Sequence, residues 1–156
     1  MSPALMQPRP IRHRRARRSD FDAIRALVES SGLSAPGPER AALRRFRRLV
    51  ADLGADLYVA EIDARVRGVV HVTYTRHLTH SPRARLELLA VAPEARRCGV
   101  GRSLVAAAAA RARRRGCAEL RCGRAAATGE ARAFLLHTGW QSAGEELEFD
   151  LAVPTQ

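Results

Sequence analysis

The sequence predicts an α/β (α+β) domain. Three observations carry that: apolar stripes at helical spacing and strand-like alternation occur in the same chain, two helical stretches come before the first hairpin, and a glycine-bearing turn leads from a strand into an alanine-rich helix. At 156 residues the chain has room for one hydrophobic core and is too short for two ordinary ones. Residues 1–10, with three prolines, are expected to form a flexible N-terminal tail, and residues 11–153 a single domain.

The elements follow in order. IRHRRA, from Ile11, reads as a short strand. Ser19 or Asp20 can cap the helix FDAIRALVESSG, where Phe21, Ile24, Leu27 and Val28 recur on one face and Gly32 is the stop. A loop with Pro36 and Pro38 leads into ERAALRRFRRLVADLG, a second helix with the stripe Leu43, Phe46, Leu49 and Val50. The period then changes to two, and residues 56 to 77 read as an antiparallel hairpin with its turn near ARVRG. ARLELLAVAP is the next strand, with Leu86, Leu88 and Ala90 expected on one face, Glu87, Leu89 and Val91 on the other, and Pro93 ending it. GRSLVAAAAARARRR, from Gly101 to Arg115, is a helix stopped by Gly116. CAELRCG is a short strand, TGEARAFLLHTG a helix with Thr128 as its cap and Gly139 as its stop, and EELEFDLAV a last alternating strand.

Composition limits the partners. All 27 basic residues counted as Lys+Arg are arginine, against 16 acidic residues, for a net charge of +11. Such a chain attracts an anionic ligand, a nucleic acid or an acidic protein, and charge alone does not choose among them. Aromatic residues make up 4% of the chain and most arginines fall on polar helix faces, which argues against nucleic-acid binding by base stacking. Cys98, Cys117 and Cys122 form no CxxC pair and have no histidine at ligand spacing, so no metal is expected, and an odd thiol count suits a reducing cytoplasm. No apolar run approaches the ~20 residues that span a bilayer.

The turn from Glu94 to Leu104, EARRCGVGRSL, carries the chemistry. A helix that starts there exposes unpaired amides and the positive end of its dipole, which together make an anion site. Gly99 and Gly101 let a phosphate approach the main chain, and Arg96, Arg97 and Arg102 add charged donors. A dinucleotide fingerprint needs GxGxxG, and here Gly101 is followed by Arg, Ser and Leu. A Walker loop needs a lysine, and the chain has none.

The remaining pattern, Arg96-x-x-Gly99-x-Gly101 after a strand ending LAVAPEAR, resembles the pyrophosphate-binding motif of the GNAT superfamily of acyl-CoA-dependent N-acyltransferases. The element order from about Ile11 to Val153 is similar to that family's, and ARAFLLHTGW (Ala131 to Trp140) resembles its late segment A-x-x-F-Y-x-x-x-G-F. The resemblance implies a mixed, mostly antiparallel central sheet of six to seven strands with about four helices, two central strands being splayed to hold CoA. It implies a bacterial cytoplasmic N-acetyltransferase that moves the acetyl group of acetyl-CoA, a cosubstrate, to a primary amine on a small molecule or protein. A homodimer through an edge strand or the Trp140 region is compatible with it.

Residue by residue, the resemblance implies that Leu89 and Val91 partner the pantetheine amides and that an N–H near Ala90 or Val91 meets the thioester carbonyl. The diphosphate falls to Arg96, Arg97, Cys98, Gly99, Val100, Gly101, Arg102 and Ser103, with Thr128 where an Asn often holds the cofactor arm. Glu87 matches a position where many members carry the general base, and a solvated or ion-paired surface charge is the other reading of it. Tyr74 is the candidate substrate-site phenol, with strand packing as its alternative. Leu135 stands where the family usually has its acidic Tyr, and His137 points elsewhere on that helix. That departure leaves an acyl-CoA-binding sensor without chemistry as the alternative function. Cys98, in positive surroundings, could form a mixed disulfide with CoA, and His71, His77 and His80 read as surface or cleft residues.

Overall fold

The computed structural model describes residues 8–33, 37–122, 129–143 and 146–151. Thr128 and most of the expected tail lie outside them. The strands are β1 (Arg12–Arg15), β2 (Asp56–Ile62), β3 (Arg65–Thr75), β4 (Arg83–Val91), β5 (Glu119–Cys122), β6 (Gln141–Ala143) and β7 (Glu146–Asp150). They form one seven-stranded sheet in the order β1-β2-β3-β4-β5-β7-β6. The β4–β5 pair is parallel, and the other pairs described are antiparallel. The mixed, mostly antiparallel sheet and its helices therefore agree with the expected class. Strand β6 was not foreseen, because three residues after Trp140 are too few to display alternation.

The hairpin is closed by Asp63 and Ala64, whose φ angles of 51° and 61° suit the twist of the flanking strands. On one face lies α3 (Val100–Arg114), packed on β2, β3 and β4. Val100, Leu104, Ala108 and Ala112 form its buried stripe, and the small alanines let the helix axis approach the sheet. From the other side α1 (Phe21–Ser30) packs on β3 and β4 with Ile24 and Leu27 buried. Helix α2 (Glu39–Ala51) leans on α1 through Phe46 and Phe21, whose rings are 5.4 Å apart. Helix α4 (Gly129–His137) buries Leu135.

Two features of β4 frame the site. The β4–β5 register ends at Leu86↔Cys122, so Glu87–Val91 have no β5 partner among the described residues. The β3–β4 register shifts from His71↔Leu88 to Val72↔Leu86, leaving Glu87 as one extra residue, a β-bulge. The bulge corrects the expected facing of β4. Leu89 and Val91 pair with Val70 and Gly68, and Gly68 faces α3, whereas Glu87 bonds Thr73, a neighbour of His71 on the opposite face. Glu87 thus does not share a face with Leu89 and Val91, because an inserted residue shifts the alternation by one.

Candidate functional site

The end of β4 passes through a short 3₁₀ turn, Pro93–Ala95, where the Ala95 amide donates to the Ala92 carbonyl at 2.9 Å. The Cys98 amide then donates to the Ala95 carbonyl at 3.3 Å. Arg97 and Gly99 follow with φ angles of 66° and 81°, so the chain turns through the left-handed region twice in three residues. Such alternation points successive amides to one side. The Ser103 amide donates to the Gly99 carbonyl at 3.0 Å. Between them, the amides of Gly99, Val100, Gly101 and Arg102 have no acceptor among the described residues. They occupy the start of a fifteen-residue helix, where the dipole favours an anion.

These amides open on a cleft of about 940 Å³. Its walls are Leu89, Ala90 and Val91 of β4, Arg96, Arg97 and Gly99–Arg102 of the turn, Ser30–Leu33 at the end of α1, and Glu130, Ala131 and Phe134 of α4. Gly101 sits where α3, α4 and β4 converge: a methyl on it would stand 3.4 Å from Phe134 Cζ and 3.6 Å from Val91 Cγ2. A residue without a side chain keeps the floor of the cleft open.

Of the sequence-derived candidates, Leu89, Ala90, Val91, Arg96, Arg97, Gly99, Val100, Gly101 and Arg102 line this one cleft. Cys98 lies in the same turn with its side chain exposed and does not wall the cleft. Ser103 is turned back to the protein: its hydroxyl donates to the Val100 carbonyl at 3.0 Å and lies 2.9 Å from His13 Nε2, tying α3 to β1. Arg96 is engaged by Glu130 at 3.0 Å, a cleft carboxylate that sequence reasoning passed over because it comes from another helix.

Tyr74 requires a correction. It lies at the far end of β3, opposite Ala84, with its hydroxyl donating to the buried Asp56 and Arg115 stacked 4.3 Å from its ring centre. Burial and the Asp56 carboxylate push its hydroxyl far above the ordinary phenol range. It does not line the cleft, and its phenol is committed to the fold.

Glu87 occupies the bulge, one residue past the last described β4–β5 pair. It accepts from Thr73 Oγ1 at 2.7 Å and has Arg85 Nε at 3.8 Å, with its side chain 37% exposed. His71 lies opposite Leu88 beside it, and its Nε2 is buried without a hydrogen-bond partner among the described residues. Burial holds this imidazole below its ordinary pKa, offset in part by the Glu87 and Asp52 charges. Nothing in the alternation of VVHVTYT distinguishes His71 from a surface histidine, since only the bulge brings it beside Glu87. Leu135, in the place of the usual Tyr, is 0% exposed, while Phe134 faces the cleft. His137 is exposed. No helix among the described residues is long and apolar enough to cross a membrane.

The chain matches the model of the acetyltransferase (GNAT) family over residues 21–140. No curated protein is significantly similar in sequence. Among solved structures, it resembles a transcriptional regulator from Bacillus halodurans C-125 with a TM-score of 0.75 and 24% identity, over 87% of this chain and 96% of that one. The aminoglycoside antibiotic 6′-N-acetyltransferase AAC(6′)-Ih from Acinetobacter baumannii gives a TM-score of 0.70 and 22% identity, over 85% and 92% of the two chains. A chain of the NatC complex bound to Gag peptide and CoA gives 0.66 and 18%, over 90% and 98%. At these identities the likeness is one of fold.

Proposed function

The chain belongs to the acetyltransferase (GNAT) family, and from that premise we propose that it transfers the acetyl group of acetyl-CoA to a primary amine of a small molecule or polypeptide. One observation carries the reading: four successive amides without acceptors among the described residues, Gly99 to Arg102, open on a cleft walled by the end of β4. Unpaired donors at the start of a helix favour an anion, and a diphosphate supplies acceptors of the right charge. Arg97 and Arg102, with no carboxylate partner among the described residues, add to the cradle.

In this reading the amides of Gly99, Val100, Gly101 and Arg102 hold the diphosphate, and Leu89 and Val91 receive the pantetheine arm. A thioester, when bound, supplies an acyl group on a thiolate leaving group. A main-chain N–H near Ala90 or Val91 would stabilise the oxyanion that forms as the amine attacks. An alkyl ammonium has a pKa near ~10, so a base must first take its proton, and Glu87 is the carboxylate that directly follows Leu86, the last β4 residue with a described β5 partner. Its exposure suits a relay through water. With Leu135 in the core, no side-chain hydroxyl stands at the usual acid position, and water protonates the departing thiolate.

The test combines titration calorimetry with acetyl-CoA and thiol release with a panel of amines. Glu87→Gln is expected to lower turnover by about 10²–10⁴-fold, the usual worth of a general base, with acetyl-CoA affinity retained. A purified protein that binds no CoA thioester sinks the proposal. The second reading, an acyl-CoA sensor, is favoured by the buried Leu135 and expects saturable binding without turnover of any amine.

A further inference from the structure

Helix α2 is amphipathic in an unusual way. Phe46 is its buried residue, turned onto Phe21 of α1. At 100° per residue, Arg40, Arg44, Arg47 and Arg48 fall within an arc of about 100° on the opposite side. All four are exposed. The one carboxylate of the helix, Glu39, is held by Arg25 of α1 at 3.0 Å. Elsewhere guanidinium groups meet carboxylates, as Arg14 meets Asp20 and Glu61, and Arg111 meets Asp56. On α2 none of the four has a carboxylate partner among the described residues. Arg40 with Arg44, and Arg44 with Arg48, are like charges four residues apart, an arrangement that weakens a helix. An anionic chain laid along the stripe relieves that repulsion.

The stripe lies on the helix that follows a cleft-lining segment in sequence. Helix α1 ends at Ser30, and Ser30–Leu33 line the cleft. Helix α2 starts at Glu39, a short connection further on, and the Arg25–Glu39 pair holds that first turn to α1.

We propose that α2 docks an acidic polypeptide and that this polypeptide carries the amine to be acetylated, which rests on the acetyl-transfer reading above. Successive arginines four residues apart are about 6 Å apart along the helix axis. Side chains on one face of an extended peptide repeat about every 6.6 Å. Acidic residues at alternate positions therefore meet successive guanidinium forks, each able to take a carboxylate through two hydrogen bonds. A polypeptide also brings a primary amine, at its N-terminus or on lysine. A single-stranded nucleic acid lacks a stacking platform here, since the aromatic residue of α2, Phe46, is buried.

The experiment uses the full chain and two probes of equal length, an alternating Glu peptide and its Gln counterpart, both labelled and with blocked N-termini so that binding alone is read by fluorescence anisotropy. The acidic peptide is expected to bind at least about tenfold more tightly at low salt, with the preference collapsing near 0.3 M salt as screening sets in. Combined Arg40→Gln, Arg44→Gln, Arg47→Gln and Arg48→Gln substitution is expected to abolish the preference while acetyl-CoA affinity stays within error and the thermal midpoint does not fall. With free N-termini, the acidic peptide should show a lower KM than the neutral one in the native chain only. Equal binding of the two peptides, or a preference that survives the fourfold substitution, overturns the proposal. Tighter binding of a 20-mer DNA than of the acidic peptide through the same four residues overturns it in favour of a nucleic-acid partner. Failure to bind acetyl-CoA would instead sink the enzymatic reading and leave the anisotropy result standing by itself.

Discussion

Gly68 of β3 lies directly beneath Leu104 of α3: a methyl on Gly68 would stand 2.8 Å from Leu104 Cδ1 and 2.8 Å from Val100 Cγ1. Both neighbours are fully buried, and Val100 is β-branched, so neither can turn aside without disturbing the core. Gly68→Ala is expected to destabilise the protein by about 1–3 kcal/mol through overpacking. Because Val100 opens α3, the same substitution displaces the unpaired amides. Thermal unfolding should register the first effect and acetyl-CoA titration the second; a variant that loses stability but keeps full affinity would separate the two.

Asp56, 2% exposed, anchors the α3 face of the sheet. Arg111 donates to it at 2.9 and 3.2 Å, Arg115 at 3.1 Å, and Tyr74 adds a hydroxyl. Burial opposes its charge, and the bonds from Arg111 and Tyr74 with the Arg111 and Arg115 charges outweigh that, so the carboxyl is held below its ordinary value. A depressed folded pKa contributes stability that is present above the unfolded value and is lost as pH falls through the folded one. The share of stability that Asp56 contributes should therefore be flat in pH above about 5 and be lost below about 4. Asp56→Ala, which takes the carboxylate from Arg15, Arg111 and Arg115, is expected to cost about 3–5 kcal/mol by denaturant titration and to shallow that acid slope.

The Arg96–Glu130 pair, 3.0 Å apart, sets an exposed carboxylate on an arginine of the cleft wall. A diphosphate that recruits Arg96 competes with it. Glu130→Gln is expected to tighten CoA binding by about two- to fivefold, since exposed ion pairs are worth at most ~1 kcal/mol. Pantetheine, which has no diphosphate, should bind the two proteins equally. Calorimetry with both ligands decides it, and tighter pantetheine binding would contradict the account.

His71 is kept neutral by burial, against the pull of Glu87 and Asp52. A histidine whose folded pKa is lowered loses stability as pH drops below the unfolded value, because the unfolded chain takes a proton that the fold refuses. The thermal midpoint should thus decline between about pH 7 and pH 5, and His71→Phe should reduce that decline. His13, lowered likewise by burial, sets the residual slope. A slope unchanged in His71→Phe would assign the effect to His13 and His77, both lowered first by burial.

Most of the cleft was legible from local pattern. The anion cradle depends on amides three to six residues past Arg96, on glycines where the backbone turns left-handed, and on a helix that starts at once, all properties of consecutive residues. Arg96, Arg97 and Gly99–Arg102 were accordingly identified from the chain and meet in one cleft. Residues placed by counting along a strand fared differently. Glu87 was assigned to the face of Leu89 and Val91 by strict alternation, and the bulge put it on the other. Tyr74 looked available because it is a phenol on a central strand, and Asp56, Arg111 and Arg115, distant in sequence, claimed it.

Taken alone, the sequence determined the class of fold, the order of its elements and the diphosphate turn, because helix and strand periods, caps and glycine torsions are short-range and leave their mark in neighbouring residues. Tertiary structure alone decided which side of the sheet Glu87 faces, that His71 stands beside it, that Glu130 occupies Arg96, and that α2 turns an unmatched row of arginines to solvent. Those outcomes depend on strand register and on contacts between separate elements, and a single shifted residue in one ladder reverses them.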